Sequence, residues 1–123
     1  MKIGNLKQII VYVRDMSLQV KFYRDTLGLK IKYPVQDDYS EVDWVAFDTG
    51  ECTFALHSGS KGRIGEDAPK FTFEVEDVNL VRDALLTKGV KMGEVTSAFP
   101  GSNVCAGRDK ENNVFYIQNY PKQ

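Results

Sequence analysis

Few side chains in this 123-residue chain have the types and spacing that chemistry demands. The single histidine, His57, stands in Leu56-His57-Ser58, where an imidazole suits a general base or a hydrogen-bonding contact to a ligand. No acidic residue close in sequence would orient it as a triad's third member does, so its plainer reading is a polar residue at a strand's rim. Lys70 offers an ammonium that can anchor a carboxylate or phosphate, form an imine if desolvated, or simply be solvated. Tyr116 adds a phenol, and His57, Lys70 and Tyr116 make up the catalytic candidates. Tyr39 and the Asp37-Asp38 pair read as loop residues that solvate their segment. Cys52 and Cys105 lie far apart and match no metal-ligand spacing, which reads as reduced packing residues in a cytoplasmic protein. The glycine-rich stretch Ser58–Gly65 lies between two strand signals. A phosphate cradle would need a helix after it, so the stretch reads as a linker.

Composition excludes several partners. Sixteen basic and 17 acidic residues without a long run of either sign leave no footprint for nucleic acid or an anionic membrane. The longest apolar run, Ile9–Val13, is too short to span a bilayer, and no secretion signal opens the chain.

The elements that must position these residues come in two similar sets. Gln8-Ile-Ile-Val-Tyr-Val-Arg-Asp15 lies over Lys70-Phe-Thr-Phe-Glu-Val-Glu-Asp77, with Ile9, Val11 and Val13 matching Phe71, Phe73 and Val75. Each Asp is placed to cap a helix. Met16, Val20, Tyr23 and Leu27 form the first apolar stripe, and Val78, Val81 and Leu85 the second. Gly28 and Gly89 each stop a helix. Strands are expected over Lys30–Val35, Glu41–Asp48 and Cys52–Ser58, then over Lys91–Phe99, Ser102–Asp109 and Val114–Asn119. Asp48 is expected over Asp109, and Ala55 over Tyr116. Asn112-Asn113 suits the turn of the last hairpin, because Asn tolerates positive φ. Phe99–Ser102 reads as a turn able to act as a lid.

These sets predict an α+β fold of two tandem βαβββ modules within one 123-residue domain: module one over 1–58, a linker over 59–67 and module two over 68–120. Each sheet has one helix to cover one face, so two such sheets side by side curl into a half-open cup. Strand parity points Gln8, Ile10 and Tyr12, Thr53, Ala55 and His57, Lys70, Thr72 and Glu74, and Val114, Tyr116 and Gln118 into it. The third strand adds either Trp44 and Ala46 or Val45 and Phe47, and parity leaves that choice open.

Val13-Arg-Asp-Met, Phe22-Tyr23, Leu27-Gly28-Leu29 and Asp109-Lys-Glu-Asn-Asn113 resemble the vicinal oxygen chelate superfamily, which contains the glyoxalase I, bleomycin-resistance and extradiol-dioxygenase proteins. Enzymes of that family hold a divalent metal through four side chains. The resemblance places Gln8, Ala55, Lys70 and Tyr116 at those positions. Only Gln8 is a plausible ligand, so neither a metal nor another cofactor is expected. The leading expectation is a metal-free protein that sequesters a small aromatic or anionic molecule, with Gln8, Ile10, Tyr12, Trp44, Ala55, His57, Lys70, Thr72 and Tyr116 as contacts. The alternatives are a glyoxalase I-like lyase or dioxygenase with unconventional residues, and a module for subunit or partner contact. The resemblance also implies a homodimer.

Overall fold

A computed structural model describes residues 2, 8–59 and 69–121. The chain divides into two compact units, Met1–Arg63 and Ile64–Gln123. All but Gly59 of the linker expected over 59–67 falls outside the described residues.

In the first unit, strand β1 (Gln8–Val13) leads into helix α1 (Met16–Lys21), and strands β2 (Lys30–Tyr33), β3 (Trp44–Asp48) and β4 (Thr53–Ser58) follow. The second unit repeats this with β5 (Phe71–Glu74), α2 (Val78–Thr87), β6 (Thr96–Phe99), β7 (Ser102–Arg108) and β8 (Val114–Gln118). The sheets run β1-β4-β3-β2 and β5-β8-β7-β6, with the first and last strands of each unit parallel and the other pairs antiparallel. This is the α+β fold of paired βαβββ modules.

Both helices start as their sequences require. Asp15 Oδ1 accepts from Leu18 N at 3.0 Å, and Asp77 Oδ1 accepts from Leu80 N at 3.1 Å, each satisfying an amide with no partner inside its helix. Gly28 (φ 76°) and Gly89 (φ 84°) close them in the left-handed region, where a side chain would be strained. The first helix departs from the expected stripe. Beyond Lys21 it widens into a π-helical turn, Phe22–Thr26, in which Leu27 N donates to Phe22 O. The wider turn brings the adjacent rings of Phe22 and Tyr23 both inward, while Leu27 is only half-buried. Tyr23 then packs on Phe54 and Phe47, with ring centroids 4.9 and 6.1 Å away. In the second unit Val78, Leu85, Cys105, Phe115 and Ile117 fill the space between helix and sheet.

The halves differ in their hairpins. Phe47 pairs with Phe54, and Gly107 with Phe115, so the second β–β turn is one residue longer than the first. Asp48 therefore corresponds to Arg108, and the expected match to Asp109 is corrected by one position. Asp109 instead begins the turn. Its Oδ1 accepts from the amides of Glu111 and Asn113 at 2.9 Å, its Oδ2 from Asn113 Nδ2 at 2.9 Å, and Asn112 takes φ 67°. Strand β6 also begins later than expected. Lys91–Gly93 reaches β7 only through an isolated bridge, Met92 to Gly107. Gly107 permits that approach, since a Cβ there would lie 2.5 Å from Phe115 Cζ and 2.7 Å from Met92 Sδ.

Two predictions follow from this packing. Asp109→Ala removes the acceptor for buried donors of the turn and is expected to destabilise the protein by about 1–3 kcal/mol in urea unfolding; an unchanged midpoint would refute the turn's role. Burial pushes the Cys105 thiol up, outweighing the nearby Arg82 guanidinium. Its folded form keeps the proton to higher pH than the unfolded chain, so its contribution to stability is lost as pH rises past the ordinary thiol range. A disulfide reagent should label half-buried Cys52 in the folded protein and Cys105 only after unfolding.

Candidate functional site

The strand registers sort the expected site residues into rows. On the sheet face away from α1, Gln8 pairs with Thr53, Ile10 with Ala55 and Tyr12 with His57. Strand β3 sets Ala46 against Ala55 and Trp44 against His57. That resolves the open choice on the third strand: Trp44 and Ala46 share the face of His57, while Val45 and Phe47 are wholly buried on the other.

One row brings three rings together across three strands. The Tyr12 and His57 centroids lie 5.0 Å apart at 36°, and Trp44 meets His57 edge-on at 5.9 Å and 86°. Tyr12 is 51% exposed, and His57 and Trp44 are half-buried. His57 Nδ1 lies 2.7 Å from the Ser58 carbonyl oxygen. A carbonyl can only accept, so Nδ1 carries the proton, and in the neutral ring Nε2 is left as a lone-pair acceptor. Ser58 is itself fixed from β3's approach: its amide and its hydroxyl donate to Asp43 O and Oδ1, both at 2.9 Å. Asp43 thus positions the histidine through Ser58. Nothing in the sequence marks it, because it lies in a loop fourteen residues before His57.

The neighbouring row is small and apolar. Ala55 is fully buried and Ala46 nearly so, beside half-buried Ile10. Gln8 is exposed at the start of β1. In the second unit Thr72 pairs with Tyr116, which in turn faces Ala106 on β7. Thr72 and Lys70 are exposed and Tyr116 is half-buried.

Ala55 beside Ile10 and Tyr116 beside Thr72 hold corresponding register positions in the two units. The resemblance puts a carboxylate metal ligand at each, and neither residue is one. With an exposed ammonium at Lys70 and a carboxamide at Gln8, the four side chains do not fit a divalent ion, which needs three or four strong donors. Among the described residues no three His, Cys, Asp or Glu side chains lie close enough together to hold a metal.

Other expected residues have plainer places. Tyr39 is buried, correcting its reading as a solvating loop residue: its hydroxyl donates to Pro34 O at 2.7 Å and accepts from Gln36 N at 3.2 Å. Asp38 is held below the usual carboxylate range by the Ser40 amide, which donates to it at 2.9 Å. Phe99–Ser102 is the tight turn of the β6–β7 hairpin. In the second unit a cavity of about 380 Å³ is lined by Lys91, Met92, Gly93, Ala106, Arg108 and Asn112. Sequence reading named none of these as contacts. The segment Lys91–Gly93 meets β7 at the isolated Met92–Gly107 bridge, which breaks the run of strand signal it was read as.

The profile of the Glyoxalase/Bleomycin resistance protein/Dioxygenase superfamily matches residues 5–116. The uncharacterized protein YraH of Bacillus subtilis (strain 168) is 37% identical over 98 residues, covering 70% of this chain and 73% of that one. TnmS3, an antibiotic binding protein from Streptomyces sp. CB03234, superposes with a TM-score of 0.78 at 16% identity, over 98% of this chain and 99% of the other. Lactoylglutathione lyase from Agrobacterium tumefaciens gives 0.74 at 17% identity, over 97% and 96%. At such identities the two structures establish a shared fold and no shared activity. The family match spans nearly the whole chain, which therefore belongs to the Glyoxalase/Bleomycin resistance protein/Dioxygenase superfamily.

Proposed function

We propose that this protein binds a small, planar, partly apolar molecule without a metal and without turning it over, using the Tyr12–His57–Trp44 row. The observation that carries this reading is the row itself: three rings on adjacent strands, one of them half-exposed, with an oriented imidazole in the middle. Tyr12 and Trp44 supply stacking surface, and His57 Nε2 accepts a hydrogen bond from a ligand N–H or O–H. The donor set at Gln8, Ala55, Lys70 and Tyr116 supports the metal-free part. That TnmS3, an antibiotic binding protein, has the same fold supports the binding part.

A second reading keeps the superfamily's enzymatic character, with His57 as a general base. The bond from Nδ1 to Ser58 favours it to this extent, that it leaves Nε2 as the basic nitrogen. The proposal extends to a cytoplasmic homodimer. Two free thiols suit a reducing compartment, and edge strands β2 and β6 each end in an exposed aromatic, Tyr33 and Phe99, suited to a second copy of the chain.

Trp44 is the only tryptophan, so its emission reports directly on the row. Titration with a panel of planar aromatic compounds is expected to change that emission saturably, and Tyr12→Ala should raise Kd by about 2- to 12-fold, the worth of one ring contact. Purified protein is expected to carry well under one equivalent of nickel, zinc or iron. A full equivalent that survives dialysis, or a panel without one saturable response, would overturn the proposal. Turnover of a bound compound that His57→Gln abolishes would establish the enzymatic reading instead.

A further inference from the structure

The middle ring of the Tyr12–His57–Trp44 row has a fixed polarity. Among the described residues His57 makes one hydrogen bond, from Nδ1 to Ser58 O at 2.7 Å, and its other contacts are the two rings beside it. Nε2 has no hydrogen-bond partner among those residues. Because Nδ1 holds the proton, Nε2 of the neutral ring presents a lone pair and no hydrogen. It can receive a donor and cannot give one.

The frame around the imidazole keeps it that way round. Strands β1 and β3 flank β4, so Tyr12 and Trp44 stand on either side of His57 and confine its plane. Flipping the ring about its Cβ–Cγ bond would set a carbon against the Ser58 carbonyl and give up the bond. Ser58 cannot follow such a flip cheaply, since its amide and hydroxyl donate to Asp43 O and Oδ1, both at 2.9 Å. Among the described residues, the one charged side chain bonded into this frame is the Asp43 carboxylate, which repels a ligand anion. On the reading that this row is a binding site, we propose that it selects a neutral aromatic molecule bearing an O–H or N–H, a phenol or an N–H heteroaromatic, over the same ring system carrying a carboxylate or no donor. The donor meets Nε2 while the ligand's ring lies against Tyr12 and Trp44. A ligand without a donor strips water from Nε2 and returns nothing. Of the aromatic and anionic ligands that the sequence leaves open, the frame favours the first.

His57 is the only histidine and Trp44 the only tryptophan, so nitrogen NMR of the full chain reads both rings without ambiguity. At about pH 8 the imidazole is expected to show a protonated Nδ1 and a bare Nε2, and the Nε2 signal to move as indole or 2-naphthol binds. Kd is then compared within two pairs of nearly equal shape, indole with benzofuran and 2-naphthol with 2-fluoronaphthalene. In His57→Phe, which keeps a ring and removes the acceptor, the donor-bearing member of a pair should lose about 2- to 12-fold in affinity relative to its partner, the worth of one hydrogen bond. Loss in the indole pair alone would mark an N–H ligand, loss in the naphthol pair alone a phenol, and loss in both the shared donor chemistry. 2-Naphthoate is expected to bind more weakly than 2-naphthol. A donor preference unchanged in His57→Phe, a proton on Nε2, or naphthoate binding as tightly as naphthol would overturn this selectivity and leave the binding reading standing. No saturable response to any of these compounds would overturn both. Were His57→Phe to unfold, the wild-type Nε2 signal carries the test: it should move with indole or 2-naphthol by more than with benzofuran or 2-fluoronaphthalene at saturation, and equal movement would overturn the proposal.

Discussion

Each half of this protein depends on one parallel pairing, that of its first strand with its last. Ile10 beside Ala55 and Thr72 beside Tyr116 fix the register of everything else. A strand alternates its side chains with a period of two, so a slip of one residue would exchange the helix-covered and helix-free faces of the sheet. Large apolar side chains hold the register. Val11, Val13, Phe54 and Leu56 are buried under the first helix, and Phe71, Phe115 and Ile117 under the second. With that face fixed, the residues on the other face have no freedom of placement. Tyr12, His57 and Trp44 meet because their neighbours in sequence are committed to the core.

The duplication preserves this constraint and relaxes others. The π turn after α1 lets two consecutive aromatic residues enter one core, and α2 has no such feature and buries fewer large rings on its own side. The extra residue in the β7–β8 turn makes room for the Asp109 carboxylate to collect two backbone amide donors, where Asp48 in the shorter β3–β4 turn accepts one, from Gly50 N at 3.2 Å. Chemistry follows the same asymmetry. The first half carries an aromatic row, and the second carries a cavity where a broken strand returns to β7. A repeated fold has here acquired two faces of different character without any change in strand order.

Much of this was legible in the residues. Alternation and helical periodicity are local properties, so Asp15, Asp77, Gly28 and Gly89 identified the helices and their ends, and the paired octets identified the modules. Parity likewise placed Tyr12 and His57 on one face. It left the choice at Trp44 open, because parity along a strand needs a reference point that only the register with β4 provides. Local signals misled between Lys91 and Val95, where a run of strand signal conceals a bridge, and at Tyr39, whose burial depends on a hydroxyl reaching back five residues to Pro34. Asp43 was invisible for the same reason: its partner is fifteen residues away and joined to it only by sheet pairing. What was not legible is what depends on long-range registration.

The superfamily's fold carries a lyase in one relative and an antibiotic binder in another, so membership alone does not choose between them. Side-chain chemistry at a few positions has to. A metal-dependent active site concentrates anionic and imidazole donors so that their combined charge offsets the cost of stripping water from a divalent ion. Where the resemblance puts a carboxylate, Ala55 offers no donor atom, and the ammonium of Lys70 is no ligand for a cation either. On the proposed metal-free reading, the Tyr12–His57–Trp44 row beside Ala55 sets what binds. The small side chain of Ala55 serves that reading, since a buried carboxylate next to the rings would disfavour the flat apolar surface they present.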